Sequence, residues 1–144
     1  MKLELQVGSG WVDAGRSGKP WTYSTRPGES NNVFQLSFME NKGGKRLEPP
    51  PALQQIATAQ AEQLGGTLVK SSSGECAYGT FGTAAATTQD VPHFQIWLIS
   101  NGIHIITATH TCDVQPSAEE TNQVQAAVAS VRLVPDSKPK WKFW

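Results

Sequence analysis

The sequence has few charged residues and no excess of either sign. Twelve Lys and Arg balance twelve Asp and Glu over 144 residues, so the formal net charge is zero. Nucleic-acid-binding proteins carry surplus Lys and Arg that neutralise phosphates. The balance therefore argues against a nucleic-acid partner and against any broad polyanion-binding surface.

Long hydrophobic runs are also missing. No segment approaches the ~20 apolar residues of a transmembrane helix, so no transmembrane segment is predicted. Residues 1–7 alternate polar and apolar side chains and lack the continuous apolar core of a signal peptide. We therefore expect a cytoplasmic protein.

Cysteine is scarce, because Cys76 and Cys112 are the only two in the chain. Two cysteines do not make a disulfide framework. In a simple strand meander they would lie at opposite ends of neighbouring strands, ~30 Å apart, far beyond disulfide reach. We expect two free thiols.

Length and a hydrophobic fraction of 38% fit one globular domain, which we assign to residues 1–134. Residues 135–144 form a tail that interleaves Lys with aromatic side chains. We expect this tail to dock as an added strand on its own sheet or on a second copy, giving a homodimer. The same pattern also suits a membrane surface or single-stranded nucleic acid. Its candidate binding residues are Lys140, Trp141, Lys142, Phe143 and Trp144.

Hydrophobic periodicity predicts three strands before residue 40, a helix, four more strands and a last helix. The first helix follows the triple proline at 49–51 and ends at Gly65-Gly66. The last helix begins with a capping box, Ser117 to Glu120, which accounts for both Glu119 and Glu120. Short turns between strands favour an α+β fold, with a twisted antiparallel sheet of about six to seven strands flanked by helices.

A hairpin is predicted between residues 92 and 112, because Asn101-Gly102 favours a two-residue turn. With those two residues in the loop, His93 lies opposite His110. The face that carries Phe94, Ile96 and Leu98 is the more apolar one, and we assign it to the main core.

The best candidate site lies at the open end of this hairpin. His93, His110 and Cys112 project from one face, and two imidazoles with a thiolate could bind Zn²⁺ or copper. The alternatives are a polar strand end without a ligand, and a Cys112 nucleophile with a histidine as base. No oxyanion hole or orienting group accompanies that nucleophile, so no catalytic residue is assigned and no enzymatic activity is predicted. The glycines of segment 74–82 lie in a strand rather than before a helix, and no cofactor is predicted.

Several segments from Leu53 onwards carry a family likeness. They are Gly65-Gly66-Thr67-Leu68, residues 74–78, the Asn101-Gly102 turn, Ile105-Ile106-Thr107-Ala108, and the helix end at 129–133. On these segments the chain resembles the Mog1/PsbP-like α/β family.

The resemblance implies a twisted antiparallel sheet with helices on both faces. Proteins of that fold include an accessory subunit of photosystem II, a binder of the Ran GTPase, and bacterial proteins tied to secretion systems or toxin immunity. It therefore implies a non-enzymatic bacterial interaction protein with a protein partner, of secretion-associated or immunity type. The alternatives are a metal- or small-ligand-binding module that uses His93, His110 and Cys112, and a small enzyme with a Cys/His site.

Overall fold

The computed structural model describes residues 2–4, 11–13, 21–25, 32–40 and 49–134. The strands are β1 (Lys2–Glu4), β2 (Trp11–Asp13), β3 (Trp21–Thr25), β4 (Val33–Glu40), β5 (Thr67–Glu75), β6 (Thr80–Thr87), β7 (His93–Ser100), β8 (His104–Cys112) and β9 (Arg132–Val134). The helices are α1 (Pro50–Gln63) and α2 (Ala118–Ser130).

Seven strands form one antiparallel sheet in the order β2-β3-β4-β8-β7-β6-β5, and β1 pairs with β9 in a separate two-stranded sheet. Five of the seven, β4 to β8, are eight or nine residues long, whereas β2 and β3 are short. The predicted α+β fold, an antiparallel sheet flanked by helices, is confirmed. Cys76 and Cys112 are both free thiols.

Helix α1 packs on β5, β6 and β7 through three side chains four residues apart, Leu53, Ala57 and Ala61. Opposite them lie Ala84, Ala86, Ile96 and Leu98. The small side chains of β6 let the helix approach closely. At Gly82 the approach is closest, because a Cβ atom there would overlap the backbone of Leu53 and Gln54.

Helix α2 covers the opposite face. Its buried residues Val124, Ala127 and Val128 pack with the inner side chains of β4, β7 and β8, which are Phe34, Leu36, Trp97, Ile99, Ile106 and Ala108. This is the larger of the two cores, so the prediction that the Phe94 face holds the main core was wrong. Judged from the hairpin alone, the Phe94 face is the more apolar one. Strand β4 pairs with β8, however, and adds the large side chains of Phe34 and Leu36 to the opposite face.

The hairpin register differs from the prediction by two residues. His93 pairs with Cys112 and Gln95 with His110, rather than His93 with His110. Gly102 has φ 92°, and no non-glycine residue of the described chain has positive φ. Glycine therefore takes the first loop position and Ile103 the second, while Asn101 closes the turn by accepting from the Ile103 and His104 N–H groups at 2.9 and 2.8 Å. A shift of two keeps every side chain on its predicted face.

The predicted tail site lies outside the described residues. This applies to Lys140, Trp141, Lys142, Phe143 and Trp144. Within the described ranges, neither helix has the length and apolar character needed to cross a membrane.

The closeness of α1 to β6 gives a test of the packing. We expect Gly82→Ala to lower the free energy of unfolding by about 2–3 kcal/mol, because helix backbone has to move to admit the methyl group. The matched control is Gly74→Ala, whose new Cβ would meet only two Phe81 ring carbons, at 3.3 and 3.5 Å. Urea unfolding measures both variants, and equal losses in the two would contradict the close contact.

Candidate functional site

The site is a buried cluster where the end of β8 meets the first turn of α2. His110 and Cys112 are two residues apart on β8, so both point towards α2. Glu120 is the third residue of α2. His110 and Cys112 are each 1% exposed, and the Glu120 side chain is 14% exposed.

The three side chains converge on one point. His110 Nε2 lies 2.7 Å from Glu120 Oε2 and 3.3 Å from Cys112 Sγ, and that sulfur lies 3.8 Å from Glu120 Oε2. All three potential ligand atoms lie within 4.8 Å of one another. An imidazole, a thiol and a carboxylate are thus in mutual contact beneath helix α2.

Asn32 supports the cluster from the residue before β4. Its side chain is 1% exposed, and its Nδ2 donates to Glu120 Oε2 at 2.8 Å. Its Oδ1 accepts from the backbone N–H groups of Asp113 and Val114 at 3.0 and 3.4 Å. Asn32 therefore orients the Glu120 carboxylate and holds the chain as it leaves β8.

His93 lies beside the cluster, directly opposite Cys112 across β7 and β8. Its ring centroid is 5.4 Å from that of His110, in an edge-to-face arrangement. His93 Nε2 is buried and has no hydrogen-bond partner among the residues that the structure describes. The structure thus places the three predicted residues, His93, His110 and Cys112, side by side through a different register, although His93 is not among the residues whose ligand atoms converge within 4.8 Å.

Glu120 was missed as a site residue because the capping box seemed to account for it. Half of that box is present, since Ser117 Oγ accepts from the Glu120 N–H at 3.1 Å. The carboxylate, however, turns to His110 and Asn32. One signal could have found it, because Glu120 precedes Val124 by four residues and so lies on the buried stripe of α2. Nothing in the sequence pattern marks Asn32.

Burial keeps the ring and the thiol neutral. Desolvation lowers the pKa of His110, and the Glu120 carboxylate only partly offsets this. The pKa of His93 is also lowered, by burial first and by its histidine neighbour second. Desolvation raises the pKa of Cys112, and Glu120 raises it further. In the metal-free protein Cys112 is therefore a protonated thiol and a poor nucleophile.

The spacing of the donor atoms suits a tetrahedral metal. With Zn–N and Zn–O bonds of ~2.1 Å and Zn–S of ~2.3 Å, neighbouring ligand atoms lie about 3.4–3.6 Å apart. The two distances from Cys112 Sγ, 3.3 and 3.8 Å, bracket that range. The His110–Glu120 distance is shorter because those two atoms share a hydrogen bond.

The lowered histidine pKa values predict acid sensitivity. The unfolded chain takes up protons below pH ~6.5, whereas buried His93 and His110 resist them, so the free energy of unfolding of the metal-free protein falls from pH 7.5 to 5.5. Urea unfolding in the presence of a chelator measures this. His110→Gln is expected to reduce the slope, and a slope identical to that of the parent protein would contradict the assignment.

Comparisons with known proteins bear on the fold alone. Neither a protein-family profile nor a curated protein matches this sequence. The solution structure of cyanobacterial PsbP (CyanoP) from Synechocystis superposes with a TM-score of 0.62, covering 92% of this chain and 86% of that one at 8% identity. The chain therefore has a PsbP-like fold, as the sequence resemblance implied.

Proposed function

We propose that this protein is a non-enzymatic binding module for a transition metal, with Zn²⁺ as the first candidate and copper as the second. The observation that carries the proposal is the convergence of His110, Cys112 and Glu120, three different donor groups from two elements, within 4.8 Å. Imidazole and thiolate are the ligands that zinc and copper favour.

His93 is the natural fourth ligand. Its buried Nε2 has no hydrogen-bond partner within the described part of the chain, and its ring already contacts that of His110. A bound metal would give this nitrogen the partner that buried polar atoms ordinarily have. The complete set would then be two imidazoles, one thiolate and one carboxylate.

Metal binding requires the cluster to lose a proton. The Cys112 thiol must ionise, and a bound cation offsets the burial that otherwise raises its pKa. Asn32 would then act as the group that orients a ligating carboxylate. A reducing, cytoplasmic compartment suits such a site because it keeps the thiol available.

The test is titration of chelator-treated protein with Co²⁺ and Zn²⁺. We expect one equivalent of Co²⁺ to release the Cys112 proton and to give the charge-transfer absorbance of a thiolate ligand, and we expect Zn²⁺ to displace the Co²⁺ and abolish that absorbance. Cys112→Ser should abolish the band, and Asn32→Ala should weaken Zn²⁺ binding by about tenfold, as loss of an orienting group does.

Two matched controls separate the site from general effects. Cys76→Ser and Glu119→Gln change the same residue types outside the cluster and should bind as the parent protein does. The proposal fails if excess Co²⁺ produces no band, or if Cys112→Ser retains it.

The second candidate function is protein interaction, which the fold resemblance implied, with a secretion or immunity partner. The observation that favours it is β5, an edge strand of the described sheet. Leu68 and Val69 on this strand are 40% and 60% exposed, and Leu64 nearby is 52% exposed. Exposed apolar side chains on a sheet edge suit the addition of a strand from a partner or a second copy.

Light scattering over a range of protein concentrations tests the second-copy form of this idea. We expect the mass to rise from the 15.6 kDa monomer towards a dimer, and Val69→Lys to prevent the rise. Ile103→Lys, which changes an exposed residue at the hairpin turn, is the control. A concentration-independent monomer would contradict pairing through β5.

A further inference from the structure

A second site lies on the α2 side of the sheet, next to the metal cluster, because Gln95 in its wall pairs with His110 across β7 and β8. Helix α2 leaves a cleft of about 270 Å³ above β5, β6 and β7. Its lining includes Lys70, Phe81, Thr83, Gln95, Trp97 and Gln125.

A buried amide forms part of the wall. Gln95 is 4% exposed, and its Nε2 donates to Thr83 Oγ1 at 3.0 Å. The Thr83 hydroxyl donates its only proton to the Ile96 carbonyl oxygen, at 2.7 Å. Thr83 can therefore only accept from Gln95, which fixes the orientation of the amide.

This arrangement uses one of the amide's two N–H groups. Among the residues that the structure describes, no group bonds to the second N–H or to Oε1 of Gln95. Buried amides in folded proteins ordinarily satisfy these atoms with protein, water or ligand. The cleft is where a ligand could do so.

Strand register places a cation beside the amide. Lys70 pairs with Ala85, and Ala85 pairs with Gln95, so the three lie in one row across β5, β6 and β7. Lys70 and Gln95 are thus two strands apart, ~10 Å between backbones. The middle residue is a buried alanine, which leaves the space above it to the long side chains on either side.

The next rows supply an apolar wall. Trp97 follows Gln95 on the same face of β7, and Phe81 lies on the same face of β6. Both aromatic rings line the cleft, and Lys70 is the only charged residue among the described residues that line it. The cleft therefore combines one positive charge, one fixed amide and a flat apolar surface.

We propose that this cleft binds a small aromatic carboxylic acid. The carboxylate accepts from the free N–H of Gln95 and pairs with the Lys70 ammonium, and the ring packs on Trp97 and Phe81. The proposal does not depend on metal binding, because none of these residues is a proposed metal ligand.

Benzoate is the probe, added to isotope-labelled, chelator-treated full-length protein and followed by NMR. We expect saturable shifts of the Gln95 side-chain amide signals, with a Kd of about 1 mM or tighter. Benzamide and benzylamine have the same ring with a neutral or a positive head group, and both should bind more weakly, benzylamine the weakest.

Two variants test the two polar contacts. Gln95→Leu should raise the benzoate Kd by about tenfold, with Gln63→Leu on the exposed end of α1 as the matched control. Gln95 is buried, so its substitution could also affect folding, whereas Lys70 is exposed and can be changed without that risk. Lys70→Gln should raise the benzoate Kd about two- to fivefold, and Lys70→Arg should restore the parent Kd.

Three outcomes would overturn the proposal. They are shifts that never saturate, equal binding of the three head groups, and a Kd that is the same in Gln95→Leu, Lys70→Gln and the parent protein. Any of these would leave the cleft as a water-filled surface feature, and none would affect the metal proposal, which is tested with a different probe.

Discussion

The structure depends on the burial of strand β7 on both faces. Residues 95–100 are buried without interruption, with α1 on one side of the strand and α2 on the other. Such a strand is largely shielded from water, so its polar side chains need to find partners inside the protein. Ser100 does so by accepting from the Gly102 N–H at 3.1 Å, and Gln95 by donating to Thr83.

This constraint explains why the two helices cover chemically different surfaces. On the α1 side, Gly82, Ala84 and Ala86 bring the helix close to the sheet, and Gln54 Nε2 donates to Ser71 Oγ at 2.8 Å across this contact. On the α2 side, His110, Cys112 and Gln95 lie beneath the helix together with the large apolar residues. The proposed metal site and the cleft therefore share the α2 face of the sheet, whereas neither has a proposed ligand group on the α1 face.

Much of this could be predicted from the sequence, and particular residues show where prediction stopped. The alternation of side chains along a strand correctly placed His110 and Cys112 on the same face, because this alternation does not depend on how the strand pairs with its neighbour. The register itself depended on whether Asn101 or Gly102 opens the turn, and only the positive φ of Gly102 decides that.

Glu120 and Asn32 join the site from 8 and 80 residues away from Cys112 in sequence, through the docking of α2 and the pairing of β4 with β8. Such long-range contacts have no local pattern. The aromatic tail lies outside the described residues, so its predicted docking stays a prediction.

The contact at Gly82 has a consequence for motion. Helix backbone rests directly on strand backbone there, with no side chain between them to change rotamer and take up a displacement. Helix α1 and strand β6 are thus coupled as a single rigid unit. Helix α2 rests on the sheet through valine and alanine side chains and is tied to it by the hydrogen bonds of Glu120 with His110 and Asn32. Any opening that admits a ligand to the buried face must therefore come from α2, with the α1 half of the molecule as its fixed frame.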